Sequence, residues 1–131
     1  MKPTALYTFL ANNTYLLVTA IVGLTILMLA LMLLPAETFS HSKLFSYDKI
    51  GHFLLFGSWT LLLGLYHNIA LSGNTSIWII FLIGTFFGIF VEFLQYSLPA
   101  LNRHADVYDI LFDAGGCLVA VFLLQKIIPE E

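Results

Sequence analysis

The sequence predicts an all-α fold, an up-down-up-down bundle of four transmembrane helices. Three observations lead to this prediction. The chain of 131 residues is 60% hydrophobic and only 10% charged, whereas an average soluble domain is about 45–50% apolar and about 25% charged. Four apolar segments are each long enough to cross a hydrocarbon core of about 30 Å. The connections between them are short, which is typical of antiparallel neighbours.

The first predicted span covers residues 15–34, an uncharged segment of 20 residues that Pro35 ends. A cleaved signal peptide is the alternative interpretation. The hydrophobic part of a signal peptide is about 7–15 residues long and precedes a cleavage site with small residues. This segment is longer and lacks a clear site of that kind, so we expect a retained membrane helix.

The other three predicted spans cover residues 50–71, 77–98 and 107–128. A turn-rich link, SGNTS, joins the second span to the third, and Pro99 ends the third span. Residues 1–131 then form one membrane domain with both termini on the same side. The basic residues are split almost evenly between the two sides, so the positive-inside rule favours neither orientation.

Charge and cysteine content exclude several classes of function. The net charge of −3 provides no basic surface for nucleic acid. The single cysteine, Cys117, cannot form an intrachain disulfide or a cysteine-based zinc site. We expect no cofactor.

Most of the polar residues within or next to the apolar segments are predicted to lie at one end of the bundle. The start of the second span, the end of the third and the start of the fourth meet there. Asp106, Asp109 and Asp113 share one face of the fourth span by their spacing. Carboxylates at bilayer depth are costly unless they face the bundle interior or water, so other spans must meet this stripe. The start of the second span and the end of the third lie at the same end. The candidate pocket residues are Asp48, Lys49, His52, Glu92, Gln95, Arg103, Asp106, Asp109 and Asp113.

Some of these residues also have a purely structural interpretation. Asp48 could cap the second span, and Asn102 or Asp106 could cap the fourth, because their side chains accept the free N–H groups of a first helical turn. His52 taken alone could be a hydrogen-bonded packing residue. Glu92 resists such an interpretation because it does not lie at a helix end.

Two further patterns concern this end of the bundle. Gly84 and Gly88 predict close helix packing, which turns Glu92, on the same face, toward a neighbouring helix.

The carboxylates also outnumber the cations, so in a low dielectric they cannot all stay ionised unless a cation lies among them. Carboxylate, imidazole and amide groups could bind a metal. Because no compact motif such as HExxH is present, we predict no metal site.

Three motifs, DKIGHFLLFG, GIFVEFLQYSLP and RHADVYDILFDAGG, resemble the VanZ-like family of small bacterial membrane proteins over residues 46–121. The resemblance implies a multi-pass protein of the bacterial inner membrane with a role in the cell envelope. The family is named after a protein linked to low-level resistance to the glycopeptide teicoplanin. It commonly has Asn where this chain has Asp113, which adds a carboxylate. The residues that fit the family pattern are Asp48, Lys49, His52, Glu92, Gln95, Arg103, Asp106 and Asp109.

Three functions are compatible with these residues. The first is binding of a membrane lipid or lipid-linked envelope precursor, with Arg103 and Lys49 on a phosphate and carboxylates on hydroxyls or an amine. The second is an enzyme acting on a lipid-linked ester or phosphoester, with Glu92 or Asp109 as base or nucleophile and His52 as proton partner. The third is a structural or accessory subunit, in which Arg103 pairs with the aspartates of the fourth span. A homo-oligomer or a protein partner in the membrane is compatible with each.

Overall fold

The computed structural model describes residues 5–39, 48–71, 76–104 and 106–128, and all regular elements in these ranges are helical. Two short 3-10 helices, Ala36–Phe39 and Pro99–Leu101, follow the second and fourth α-helices. The α-helices are α1 (Ala5–Asn12), α2 (Thr14–Leu33), α3 (Asp48–Ala70), α4 (Ile77–Ser97) and α5 (Val107–Ile127).

The predicted spans agree with α2 to α5 to within two residues at each end. These helices are long and apolar enough to cross a membrane, which confirms the all-α, four-span fold class. We did not predict α1, which is only eight residues long and is separated from α2 by Asn13 alone. Helix α3 begins earlier than expected, so Asp48 and Lys49 lie in its first turn.

Proline and asparagine residues determine where helices begin and end at the end of the bundle that contains residues 98–106. Helix α2 ends at Leu33, and Leu34 is extended because a residue that precedes proline avoids the helical conformation. Pro99 begins its 3-10 helix, where a missing N–H costs little. Asn102 ends that helix with a φ of 48°, a left-handed conformation that asparagine tolerates better than most residues.

Helix α5 has its largest contact with α3, and the two backbones approach closely at a pair of glycines. A Cβ on Gly57 would lie 3.0 Å from the carbonyl oxygen of Gly116. A Cβ on Gly116 would collide with the carbonyl oxygen of Phe53. The lack of side chains at these two positions is therefore what lets α3 and α5 pack backbone against backbone.

Helix α4 packs against the same pair of helices through Gly84 and Gly88. A Cβ on Gly84 would collide with the Thr60 side chain and lie 2.8 Å from the Cys117 sulfur. A Cβ on Gly88 would lie 2.6 Å from Oδ2 of Asp113. The packing role predicted for this glycine pair is confirmed.

The exterior of the bundle and most of its interior are apolar. Large hydrophobic side chains are exposed on the outer faces, for example Ile26 at 64%, Phe86 at 65% and Phe93 at 60%. Such an outer surface suits lipid, so the chain is a multi-pass membrane protein. The interior contains two apolar clusters, one built on Met28, Met32, Phe56, Val91 and Cys117, the other on Leu17, Leu65, Ile80 and Leu124.

Candidate functional site

Five buried polar side chains meet at one end of the bundle, where α3 begins, α4 ends and α5 begins. We call this the polar end. Antiparallel neighbours place those three helix ends together, which is why spacing along the sequence could predict the convergence. Each of the five is between 1% and 6% exposed; they are His52, Glu92, Gln95, Asp109 and Asp113.

Lys49 is the cation that bridges α3 to α5. Its Nζ donates to Oδ2 of Asp106 at 2.7 Å and to Oδ1 of Asp109 at 2.9 Å, and it lies 5.7 Å from the centre of the Tyr108 ring. The hydrogen bond from Lys49, followed by that from the Tyr108 N–H, holds the pKa of Asp106 below its usual range. In the structural function considered from the sequence, Arg103 pairs with these aspartates, whereas the cation that contacts both is Lys49.

Asp106 caps α5, which confirms one of the capping interpretations. Its Oδ1 accepts the backbone N–H of Tyr108 at 2.8 Å, a donor that has no partner within the helix. Its own backbone N–H donates to Oε2 of Glu92 at 3.0 Å, so α4 holds the start of α5. Asn102 has a different role: its side chain donates to Oε1 of Glu37 at 2.6 Å and thereby lowers the pKa of Glu37.

His52 lies between two sets of carboxylates. Its Nδ1 is 2.9 Å from Oδ1 of Asp113. Its Nε2 is 4.0 Å from Oδ1 of Asp48 and 4.0 Å from Oδ2 of Asp109. An ionised carboxylate can only accept hydrogen bonds, so an ionised Asp113 accepts the Nδ1–H. In the neutral ring, Nε2 then presents its lone pair toward the other two aspartates, and in the protonated ring it presents an N–H to them.

Two carboxylate oxygens at the polar end are buried without a hydrogen-bond partner among the described residues. They are Oε1 of Glu92 and Oδ2 of Asp113. An unpaired buried acceptor costs about 1–3 kcal/mol, and more when it is charged. Apolar side chains would avoid this cost, so stability alone does not account for these acids. Ionisable groups inside a helical bundle in a membrane usually mark a functional site.

Arg103 and Gln95 attach the end of α2 to the polar end. Arg103 donates from Nε to the carbonyl oxygen of Leu34 at 3.0 Å and from Nη2 to that of Leu31 at 3.1 Å. Gln95 donates from Nε2 to the carbonyl oxygen of Met32 at 2.8 Å. The last carbonyls of a helix lack partners within it and carry partial negative charge, so a guanidinium there is favourable. We did not predict the part played by α2, because a backbone acceptor leaves no signal in the sequence.

These side chains surround a cavity of about 200 Å³. Asn102 and His104 line it but were not among the predicted pocket residues, and their polarity beside Arg103 was the signal that could have found them. The predicted residues Lys49, Glu92, Asp106 and Asp113 are linked to the lining by the contacts above, and their role in binding a ligand stays a prediction. The lining consists of Asp48, His52, Gln95, Asn102, Arg103, His104 and Asp109.

One group on the cavity wall has the composition of a metal site. Asp48, His52 and Asp109 each offer a donor atom, and these atoms lie within 4.8 Å of one another. The same three groups can also hold and transfer a proton, since imidazole and carboxylate are both acid–base groups. The arrangement therefore permits cation binding as well as proton transfer.

Fold and site together define a multi-pass α-helical membrane protein with a polar site buried at one end of its bundle. The sequence model of the VanZ/LLP1 family matches residues 7–128, and the chain belongs to this family. The resemblance found in its three motifs is thereby confirmed. Searches of curated proteins and of solved structures found no match to the chain.

Proposed function

We propose that the protein binds the polar headgroup of a membrane lipid, or of a lipid-linked envelope precursor, in the cavity at the polar end. The observation that carries this proposal is the cavity itself. It provides about 200 Å³ of space lined by seven polar side chains, in a chain that is only 10% charged. A concave site with a few converging polar groups is where proteins bind small molecules.

The lining suits a headgroup that carries a phosphate together with hydroxyl or amine groups. Arg103 contributes a permanent positive charge, and a guanidinium is well shaped for phosphate. Asp48 and Asp109 can accept hydrogen bonds from hydroxyls or an amine. Lys49, which we expected on a phosphate, is paired with two aspartates. Arg103 lines the cavity and Lys49 does not, so Arg103 is the phosphate-binding residue of this proposal.

The size of the cavity and its surroundings also support a headgroup. Sites for drug-sized molecules occupy about 300–1,000 Å³, so acyl chains would remain outside this cavity. Exposed aromatic side chains lie at the same end, Tyr96 at 75% and Tyr108 at 64%. Tyrosine is enriched where membrane headgroups meet water. A lipid could therefore insert its headgroup while its chains follow the apolar outer faces.

The setting that we propose is the bacterial inner membrane, in a cell-envelope function or in tolerance of glycopeptide antibiotics. Membership of the VanZ/LLP1 family and the four membrane helices support this setting. A host lacking the protein should then show an altered response to teicoplanin that the wild-type gene restores and the Arg103→Ala variant does not.

Lipid that co-purifies with the protein tests headgroup binding directly. Wild type and variants are purified in one mild detergent, and bound lipid is measured by native mass spectrometry. Arg103→Ala should lower the bound phospholipid about ten-fold, as expected for the loss of a charge-assisted hydrogen bond. Lys126→Ala, which removes a cation from the last turn of α5, should leave it unchanged.

Two further variants separate phosphate binding from the structural role of Arg103. Arg103→Lys keeps the positive charge but lacks the guanidinium group that donates to two carbonyl oxygens. It should therefore retain more lipid than Arg103→Ala. His104→Trp fills the cavity from an exposed position that makes no part of the ionic network, and it should also exclude lipid. Equal lipid content in all of these proteins would refute the proposal.

A hydrolase or transferase acting on a lipid-linked substrate is the second candidate, and the geometry of His52 favours it. Asp113 is paired with Nδ1, so Nε2 is available to accept a proton, as in histidines that act as general bases. No Ser, Thr or Cys among the described residues is hydrogen-bonded to His52, so the base would act on water or a substrate hydroxyl. Turnover of a lipid-linked phosphoester by wild type but not by His52→Gln would establish it. Binding without turnover would favour the first candidate.

A further inference from the structure

We propose that Asp48, His52 and Asp109 form a site for one divalent transition-metal cation, Zn²⁺ or Mn²⁺, on the wall of the cavity. No compact sequence motif indicates such a site, and we therefore predicted no metal site from the sequence. The two helices bring the ligands together in space: Asp48 and His52 are one turn apart on α3, and Asp109 lies in the first turn of α5. This inference goes beyond headgroup binding and does not depend on it.

The distances between the donor atoms are close to those of a metal site. Nε2 of His52 lies 4.0 Å from one oxygen of Asp48 and 4.0 Å from one oxygen of Asp109. Bonds of about 2.0–2.2 Å hold the donor atoms of a tetrahedral site roughly 3.4 Å apart. Each aspartate oxygen must therefore approach Nε2 of His52 by roughly half an ångström. The two aspartate oxygens, which lie within 4.8 Å of each other, must approach by up to about 1.4 Å, which Asp48 allows because its side chain is 41% exposed.

His52 is prepared as a ligand on its other side. Its side chain is 4% exposed, its Nδ1 is paired with Asp113, and Nε2 forms no hydrogen bond with any residue that the structure describes. A metal-binding histidine almost always has its second ring nitrogen on a carboxylate or carbonyl, which fixes the tautomer and orients the ring. Asp113 provides this contact, and the nitrogen left unpaired is the one that faces the two aspartates.

The charge balance of the polar end also favours a bound cation. Like charges in a low dielectric must be compensated by a proton or a cation. Asp109 has one oxygen on Lys49 and the other toward His52, so it can serve both partners. A divalent cation between Asp48 and Asp109 would compensate their two charges directly. Among the described residues at this end, the cations are Lys49 and Arg103, and the carboxylates are those of Glu37, Asp48, Glu92, Asp106, Asp109 and Asp113.

The ligand set selects the kind of metal. One imidazole nitrogen and two carboxylate oxygens suit Zn²⁺ and Mn²⁺ better than Ca²⁺ or Mg²⁺, which prefer oxygen ligands alone. Three protein ligands leave coordination positions for water or for an oxygen of a bound molecule. All three residues line the cavity, so such a molecule would reach the metal from there.

Direct metal binding to detergent-solubilised protein tests the proposal. The protein carries an affinity tag without histidine, is stripped with a chelator, and is titrated with ZnCl₂ and MnCl₂ by calorimetry. Wild type should bind one equivalent of at least one of these metals. His52→Ala should weaken binding by at least about 100-fold, and Asp113→Asn by about 10–100-fold, the usual effect of losing a group that orients a ligand.

Two histidine variants serve as matched controls. His67→Ala lies on the same helix at its opposite end, and His104→Ala lines the same cavity outside the proposed ligand set. Neither should change the affinity by more than about three-fold, a difference of less than 1 kcal/mol. Pulsed electron paramagnetic resonance of the Mn²⁺ complex should show ¹⁴N coupling in wild type and in both controls.

Asp48→Asn keeps the test decisive if His52→Ala does not fold, because Asp48 is partly exposed at the start of α3. It should weaken metal binding by about ten-fold or more while the melting temperature of the stripped protein stays within a few degrees of wild type. Wild type that binds no stoichiometric metal, or His104→Ala that weakens binding as much as Asp48→Asn, would overturn the assignment. Loss of metal binding with lipid content intact would leave the headgroup proposal standing.

Discussion

The two ends of the bundle are built from the same helices but are held together by different interactions. At the end opposite the polar end, Leu65, Ile80 and Leu124 pack with Leu17 in an apolar cluster. A polar contact between helices there joins the Tyr7 hydroxyl to the Asn68 side chain at 2.6 Å. The polar end instead contains buried acids, a buried histidine and two carboxylate oxygens that have no partner in the part of the chain that the structure describes.

This difference separates stability from function within one fold. Apolar packing between membrane helices needs no desolvation of charge, and small residues let helices approach closely. Buried ion pairs contribute little net stability and become costly when one partner is unpaired. A protein that needed only to hold its helices together would use the apolar arrangement at both ends. The polar end is therefore where selection for binding or chemistry is expected to act.

The largest effect should come from breaking the contact between α3 and α5 that both ends share. Gly116→Val would force a side chain into the Phe53 carbonyl oxygen, and we expect destabilisation of about 3 kcal/mol or more, with loss of monodisperse protein. Gly23→Val is the matched control, since a Cβ at Gly23 has nothing within 4 Å. Size-exclusion chromatography and thermal melting in detergent measure both. Equal yields of the two variants would contradict the close packing of these helices.

At the apolar end, Leu124→Ala should lower the free energy of unfolding by about 2 kcal/mol. Leu124 is 0% exposed. We expect the decrease in the free energy of unfolding to lie at the low end of the range for buried leucines, because lipid also solvates an apolar side chain that is not packed against other helices. Chemical unfolding in mixed micelles gives the value. Lipid and metal binding at the polar end should be unchanged, and a parallel loss of both would show that the two ends are not independent.

At the polar end, Glu92→Gln should change the free energy of unfolding by less than about 1 kcal/mol. The amide oxygen can still accept the Asp106 N–H, and a neutral amide costs less to bury than a carboxylate with an oxygen that has no partner among the described residues. Thermal melting beside Glu37→Gln, an exposed acid-to-amide control, measures this. A loss above about 3 kcal/mol is the result expected of a structural ionic network, the third function considered from the sequence.

The smallest effect concerns pH. The pKa of Asp106 is lowered in the folded protein, chiefly by Lys49. Because its pKa is lower in the folded protein, the Asp106 carboxylate stabilises the fold at pH values above its unfolded-state pKa of about 3.9. This contribution is lost as the pH falls through the folded-state pKa. Asp106→Asn keeps a capping side chain but cannot pair with Lys49. Wild type should melt above Asp106→Asn at pH 6, and the difference should shrink below about pH 4. A difference that stays constant down to pH 3 would contradict the pairing.

Much of the site could be anticipated from spacing alone. Asp109 and Asp113 share a face of α5, and Glu92 shares one with Gly84 and Gly88, so helical periodicity and the alternation of spans place them at one end. The partners within that end could not be anticipated. Which cation reaches the aspartates depends on how far each helix is rotated and shifted along its neighbour, and Lys49 rather than Arg103 satisfies that geometry.

The sequence by itself determined the class of protein, the four membrane helices and the set of polar residues that must avoid lipid, because hydropathy and helical period are local properties of a chain. The tertiary structure decided how α2 joins the site through its terminal carbonyls, how Asp113 orients His52, and which side chains line the cavity. These contacts join residues more than 60 positions apart. Their distances depend on the glycine contacts that set how closely the helices approach, and no local pattern records them.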